Sequence, residues 1–237
     1  MPFTFSHPAI VLPFLKNKNL SATALIVGSI SPDLEYFFRM KMQSEISHTL
    51  LGIFLIDFPL GFIVIFAFHT IIKKPLIANL PYFFQSRMQL LKDSNWIRYF
   101  KNNILVVLLS FFLGTLSHIF WDSMTHWDGY VVERIAFFNQ VFFGLPVYKI
   151  AQYGSSIIGL ILILYYIYKQ PSEVENTDKI NRNYWFVSFG VTAVFLGIRF
   201  AFGLDVSEIG SVIVSVLFSM MMALTVAGFF FRKKEAI

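Results

Sequence analysis

The sequence contains no cysteine among its 237 residues, which excludes disulfide bonds and thiolate metal sites. Any metal bound by this chain must therefore use histidine, carboxylate, backbone or water ligands. Charge is also scarce, because only 14% of the residues are Asp, Glu, Lys or Arg. Soluble domains average about 25% charged residues, so the composition argues against a soluble protein.

The sequence is rich in apolar residues instead of charged ones. They make up 56% of the chain, which includes 29 Phe, and the mean hydropathy is +0.64. The apolar residues form blocks long enough to cross a bilayer. The net charge of +5 comes from Lys and Arg in loops between these blocks, where they set membrane orientation. We therefore expect an all-α, multi-spanning membrane protein that has no nucleic-acid partner.

The apolar blocks predict a polytopic helical bundle with five full spans and an N-terminal helical hairpin. The hairpin has arms at residues 8–15 and 20–30, which are too short to span alone, with Ser21 as the N-cap of the second arm. Residues 127–153, which include the aromatic run 136–146, form a segment that we interpret as an interfacial helix. The predicted spans cover residues 50–72, 104–121, 155–168 (with a start as early as Tyr148), 184–202 and 209–231.

Basic residues between the first two spans predict the orientation of the chain. The connection carries an excess of Lys and Arg over the single acid Asp93, which marks it as cytoplasmic. The second span then runs outward and places its C-terminal end on the non-cytoplasmic side. We expect one membrane domain, 1–237, with a core at 1–165, a cytoplasmic linker at 166–183 and a C-terminal helical hairpin at 184–237.

The C-terminal end of the second span carries a pattern typical of metal ligands. His118, Asp122 and His126 are spaced at i, i+4 and i+8. On a helix they stay within a sector of about 80° and rise about 6 Å per step. Polar groups at membrane depth are costly and usually functional. The alternative is that the histidines are ordinary residues at a helix end.

Four further candidates lie at predicted outer ends of apolar segments: His7, Asp33, Glu35 and His48. Each one alone fits a structural role, since Ser-Pro-Asp is an ordinary turn. If His7 and Asp33 serve one site, the N-terminal segment must fold back as a hairpin. One continuous helix would hold them about 39 Å apart.

Such a cluster holds one divalent ion, or two about 3.5–4 Å apart with a shared carboxylate. Asp122 is the expected bridging and catalytic carboxylate, and Glu35 is a candidate general base or alternative ligand. The sequence shows no Gly-x-Ser-x-Gly motif, Walker loop or dinucleotide fingerprint. Water activated by a metal, with zinc as the expected ion, is therefore the favoured chemistry.

Several motifs together resemble an uncharacterised family of bacterial multi-spanning membrane proteins. Over roughly residues 1–165 they are Phe5-Ser6-His7-Pro8-Ala9, Gly28-Ser29-Ile30-Ser31-Pro32-Asp33-Leu34-Glu35, Ser47-His48-Thr49-Leu50-Leu51-Gly52, Ser117-His118-Ile119-Phe120-Trp121-Asp122-Ser123-Met124-Thr125-His126 and Gln152-Tyr153-Gly154-Ser155-Ser156. That family is in turn similar to zinc-dependent phospholipase C, the single-strand nuclease fold and the membrane-bound metal-dependent hydrolases.

The resemblance implies a phospholipase C-like core and a metal-ligand set. Its zinc ligands would correspond to His7, Asp33, His48, His118 and Asp122, with His126 as a further candidate. The soluble enzymes add a second helical His-x-x-x-Glu, and no such pair follows His126 in this chain. The departure favours one or two ions over a cluster of three.

The sequence thus predicts a membrane-embedded metal-dependent hydrolase in the bacterial cytoplasmic membrane. It would act on a phosphoester or related bond of a lipid or lipid-linked substrate from the non-cytoplasmic side. The alternative is a non-catalytic membrane protein with a structural or transport-related metal site. Ligands gathered at one end of the bundle favour the enzyme, because a carrier needs ligands spread across the bilayer.

Overall fold

The computed structural model describes residues 3–232. The regular secondary structure of these residues is helical apart from one two-stranded hairpin. The short 3-10 helices are Thr4–Phe14, Ser31–Asp33, Ala136–Asn139 and Val174–Asn176. Strands β1 (Val141–Phe142) and β2 (Leu145–Pro146) pair antiparallel. The other helices are α1 (Ala22–Gly28), α2 (Leu34–Arg39), α3 (Leu50–Asn79), α4 (Tyr82–Gln85), α5 (Gln89–Asp93), α6 (Trp96–Asn102), α7 (Ile104–Thr125), α8 (Tyr130–Arg134), α9 (Val147–Tyr168), α10 (Arg182–Ala201) and α11 (Ile209–Phe231).

Five of these helices, α3, α7, α9, α10 and α11, are long and apolar enough to cross a membrane. The prediction of an all-α chain with five spans is confirmed. Their bounds differ from the expected ones mainly at α9, which begins at Val147, and at the C-terminal end of α3.

Helix α3 continues past Lys73-Lys74-Pro75, where the sequence predicted its end. Two stretches within it, Ile53–Asp57 and Phe68–Ile72, are π-helical. A proline normally breaks the i to i−4 hydrogen-bond ladder. Because the chain enters Pro75 from a π-helical stretch, that ladder is already interrupted and the helix tolerates the missing N–H.

The N-terminal segment folds back as two arms, as the sequence predicted, but its first arm is not α-helical. Thr4–Phe14 is a 3-10 helix that contains Pro8 and Pro13, which cannot donate α-helical hydrogen bonds. The second arm, α1, has Ser21 as its N-cap, and the Ser21 side chain accepts a hydrogen bond from the Ala24 N–H. The two arms pack against each other.

The interfacial helix expected over 127–153 is wrong for residues 136–146. The structure has a 3-10 turn, Ala136–Asn139, followed by the β1–β2 hairpin. Phe143 and Gly144 adopt positive φ angles of 52° and 77° at its tip. A two-residue turn with positive φ matches the twist of paired strands and ends helical geometry.

Contacts divide the chain into two units, and the boundary between them passes through α3. The first unit contains residues 1–34, 45–61 and 102–168. Within it, α1 crosses α7 where Gly28 meets Gly114. A Cβ on Gly28 would lie 2.3 Å from the Phe111 carbonyl oxygen, and one on Gly114 would lie 2.4 Å from that of Leu25. Only glycine permits this approach.

The second unit contains residues 35–44, 62–101 and 169–237. Its helices α10 and α11 pack side by side. The buried face of α11 carries small residues at every fourth position, which lets helices approach closely: Ser211, Ser215, Ser219, Ala223 and Ala227.

Candidate metal centre

Four separate stretches of the first unit supply the polar cluster. His7 lies on the N-terminal 3-10 helix, and Asp33 ends the short 3-10 helix Ser31–Asp33. His48 immediately precedes Thr49, whose side chain caps α3 by accepting from the Gly52 N–H. His118 and Asp122 lie one turn apart in the last third of α7 and are both buried.

These five residues form two overlapping groups that could hold a metal ion. One group is His7, His118 and Asp122, and the other is Asp33, His48 and His118. Within each group the ligand atoms lie within 4.8 Å of one another. The structure thus brings together five of the residues that the sequence predicted as ligands.

Asp122 presents a different oxygen to each side of the cluster. Its Oδ1 lies 3.1 Å from His7 Nε2. Its Oδ2 lies 3.2 Å from His118 Nε2 and 3.8 Å from His48 Nε2. A carboxylate with both oxygens directed at histidine nitrogens has the arrangement of a bridging or bidentate ligand.

Asp33 completes the second side of the cluster. Its Oδ1 lies 3.5 Å from His118 Nε2 and 3.6 Å from His48 Nε2. Zinc ligands at about 2.0–2.2 Å in a tetrahedron lie about 3.3–3.6 Å from one another. The contacts of Asp33 Oδ1 with the His48 and His118 rings are close to this separation.

In three of these side chains, the ring nitrogen or carboxylate oxygen that points away from the cluster forms a hydrogen bond to a neighbouring residue. His118 Nδ1 donates to the Ser29 carbonyl at 2.8 Å, and His7 Nδ1 donates to the Thr4 carbonyl at 3.2 Å. A carbonyl only accepts, so in a neutral ring Nε2 carries the lone pair. Thr4 Oγ1 donates to Asp33 Oδ2. Such partners orient ligands toward a metal.

Three atoms at the centre of the cluster have no hydrogen-bond partner among the described residues. They are Asp33 Oδ1, His118 Nε2 and Asp122 Oδ2. Asp33 and His118 are fully buried, and Asp122 is 7% exposed. An unsatisfied buried polar group costs about 1–3 kcal/mol. A cation bound in either group of possible ligands would remove that cost for the atoms of that group.

The negative charge of the Asp33 carboxylate is suited to binding a cation. Burial alone would raise the pKa of this carboxyl, but the neighbouring imidazoles of His118 and His48 outweigh burial. Together they hold the pKa of Asp33 well below its usual range. The side chain is therefore anionic throughout the physiological pH range.

His48 is the most accessible part of the cluster. Its side chain is 29% exposed, whereas those of His7, His118 and Asp33 are fully buried. His48 Nδ1 lies 3.2 Å from Ser47 Oγ, which orients the ring. His48 is therefore the member of the two groups most open to solvent.

His126 lies at the C-cap of α7, apart from both groups. Its Nδ1 is 3.2 Å from the Asp122 backbone oxygen and 3.6 Å from Asp122 Oδ1. Burial lowers the pKa of His126, although Asp122 favours the protonated form. The ring thus pairs with its own helix end, and its role as a metal ligand stays a prediction.

Glu35 belongs to the second unit. It forms an ion pair with Arg39, with Glu35 Oε1 2.9 Å from Arg39 Nε, and accepts a hydrogen bond from Ser44 Oγ at 2.9 Å. These contacts engage its carboxylate within α2 and the loop that follows. A role for Glu35 as general base stays a prediction.

The sequence did not indicate Thr4 or Ser29 as contributors to the site. Thr4 orients both His7 and Asp33, and the Ser29 carbonyl orients His118. Every residue has a backbone carbonyl, so residue identity does not indicate which carbonyl will contact a site. Only the spacing of Thr4 gave a weak indication, because residue i−3 lies one 3-10 turn before His7 and can contact its ring.

The fold is all-helical, with five helices long and apolar enough to cross a membrane, and it carries buried His and Asp groups that could hold a metal ion. A family model described as a domain of unknown function, DUF4184, matches residues 1–231, so the chain belongs to that family. No curated protein and no solved structure matches the chain. The likeness to zinc-dependent phospholipase C therefore stays a prediction from the sequence motifs.

Proposed function

We propose that this protein is a membrane-embedded metal-dependent hydrolase that cleaves a phosphoester bond of a lipid or lipid-linked substrate. The observation that carries the proposal is that three buried atoms on residues of the two candidate groups lack a hydrogen-bond partner among the described residues: Asp33 Oδ1, His118 Nε2 and Asp122 Oδ2. His7 and His48 lie beside them with ring nitrogens 3.1–3.8 Å from the same carboxylates.

The ligand set supports a divalent ion on grounds of charge. Each group offers one carboxylate, Asp122 in the first and Asp33 in the second, to offset part of a charge of +2, and neutral histidines add none. A buried ion is tolerated when it is paired and coordinated in this way. A mixture of imidazole and carboxylate ligands without thiolate suits zinc or a similar ion. Such an ion lowers the pKa of its water to about 7 and so supplies hydroxide near neutral pH.

The location of the cluster supports a lipid substrate. His118 and Asp122 lie in the last eight residues of α7, and His48 immediately precedes the residue that caps α3. Ends of membrane-spanning helices meet the lipid headgroup region. A phosphoester of a membrane lipid lies at the same depth, which is why we favour this substrate over a soluble one.

Burial of the cluster favours a second candidate, a structural metal site. His7, Asp33 and His118 are inaccessible to solvent, and closed sites are typical of structural zinc. The partly exposed His48 ring is the feature that favours catalysis. Metal content and activity together separate the two functions.

Metal content is the first test. We expect detergent-purified wild type to contain stoichiometric divalent metal, and His118→Ala and Asp122→Asn to lose at least 80% of it. His69→Ala is the matched control, because His69 lies in the second unit against Trp96, with ring centroids 4.8 Å apart. Wild type without metal after purification in zinc-supplemented buffer would contradict both candidate functions.

Activity is the second test. Wild type should hydrolyse at least one member of a panel of phospholipids and polyprenyl phosphates. Chelation should abolish that hydrolysis, and added zinc should restore it. A metal-loaded protein that cleaves no phosphoester in the panel would leave the structural site as the better account.

A further inference from the structure

An apolar groove of about 320 Å³ lies beside the polar cluster in the first unit. Its lining comes from the N-terminal 3-10 helix, α7 and α9: Ala9, Ile10, Trp121, Met124 and Leu162. This volume falls at the lower end of the range for ligand sites, about 300–1,000 Å³. None of these side chains is charged, so the groove suits a hydrocarbon.

Trp121 forms a wall shared by the groove and the cluster. Its ring meets the His7 ring edge-on, with the centroids 5.6 Å apart. Its Nε1 donates to Ser155 Oγ at 3.1 Å, which fixes the indole between α7 and α9. Trp121 also precedes Asp122 directly in α7. A molecule in the groove therefore lies next to the residues that would bind the metal.

Another wall of the groove belongs to α9, which is long and apolar enough to cross a membrane. Leu162 lies seven residues beyond Ser155, which is about 10 Å of helix rise. Gly159 is the one buried residue of α9, and Leu162 is 45% exposed. One wall of the groove is thus part of the exposed apolar side of α9, and its Trp121 wall adjoins the cluster.

We propose that this groove holds one hydrocarbon chain of the lipid substrate while the phosphoester lies at the His/Asp cluster. The proposal rests on the proposed function and specifies its substrate as a lipid bound by both headgroup and chain. A hydrocarbon chain is the expected occupant because the walls of the groove are apolar and one of them belongs to the exposed apolar side of α9. Held there, the chain positions the headgroup at the cluster.

Fluorescence quenching tests the occupant without requiring activity. The chain has four Trp, so replacing Trp96, Trp127 and Trp185 by Phe leaves Trp121 as the reporter. In vesicles of phosphatidylcholine brominated at mid-chain, we expect strong quenching of Trp121. The groove-filling variant Ile10→Phe/Leu162→Phe should reduce this quenching at least twofold.

The matched control is Ile158→Phe/Leu164→Phe, which adds the same bulk at exposed positions of α9 outside the groove. It should leave the quenching unchanged. Equal effects of the two double variants, or none from the groove-filling one, would overturn the proposal. Metal content, measured on every variant, verifies that the cluster has formed.

Kinetics separate failure of this proposal from failure of the proposed function. We expect the groove-filling variant to lower kcat/KM at least tenfold for a long-chain phospholipid and less than twofold for bis(4-nitrophenyl) phosphate. Equal losses on both substrates would overturn the groove as a chain site. If wild type cleaves neither substrate, the proposed function fails, and the quenching result still decides whether a lipid chain occupies the groove.

Discussion

Three side chains of the cluster each use one atom to contact a neighbouring protein group and direct another toward the other candidate ligands. His118 donates from Nδ1 to Ser29, His7 donates from Nδ1 to Thr4, and Asp33 accepts from Thr4 at Oδ2. This division fixes the tautomer and the rotamer before any ion arrives. Preorganisation of this kind raises metal affinity because little ordering remains to be done on binding.

Thr4→Val tests this arrangement at the scale of one residue. Valine has a similar shape but cannot donate to Asp33, so we expect zinc affinity to fall about 10–100-fold. Competition with a fluorescent chelator measures the change. Thr192→Val is the matched control, since Thr192 Oγ1 donates only to the Ser188 carbonyl within α10. Unchanged affinity in Thr4→Val would show that the hydrogen bond to Asp33 does not position the ligand.

At the scale of elements, the crossing of α1 and α7 determines the site. The contact of Gly28 with Gly114 brings Ser29 to within hydrogen-bonding distance of His118, 89 residues away in sequence. The following turn then carries Asp33 to the same place. A side chain at the crossing would separate the two helices and the ligands that they carry.

Gly114→Val tests the crossing. The added Cβ would overlap the Leu25 carbonyl oxygen, and overpacking of this kind costs about 1–3 kcal/mol. We expect a lower Tm in detergent, together with weaker zinc binding. Gly197→Ala is the control, because a Cβ there meets no atom within 4 Å and alanine favours a helix over glycine. Equal Tm values for the two variants would contradict the close approach.

At the scale of the whole molecule, the expected orientation follows from the charges between spans. The connection from α3 to α7 is rich in Lys and Arg, which predicts a cytoplasmic location. Five spans then place the segment after α7, and with it the end of α7 that carries His118 and Asp122, on the opposite side. The substrate would accordingly reach the cluster from the outer leaflet.

Cysteine labelling tests this topology cleanly, because the natural chain has no cysteine. Trp127→Cys and Val174→Cys place thiols at exposed positions, 73% and 68% accessible in the native residues. In intact cells, an impermeant maleimide should label the first variant and leave the second unlabelled until the membrane is broken. The reverse pattern would place the cluster on the cytoplasmic side.

The sequence by itself determined the features that depend on neighbouring residues. Five apolar blocks predicted five spans, because span length depends on local hydropathy and bilayer thickness. The spacing of His118 and Asp122 predicted a common helix face, since helical periodicity is local. The cap at Ser21 followed from the same kind of short-range signal.

Only the tertiary structure decided which candidates share a site. Asp33 meets the α7 pair because α1 packs on α7 through two glycines, and His7 and His48 reach the same place from other elements. No local pattern encodes these contacts. Packing also placed His126 against its own helix end and Glu35 against Arg39. The apolar groove beside Trp121 exists because three elements distant in sequence pack together. Distances between such elements depend on side-chain packing, which residue spacing alone does not reveal.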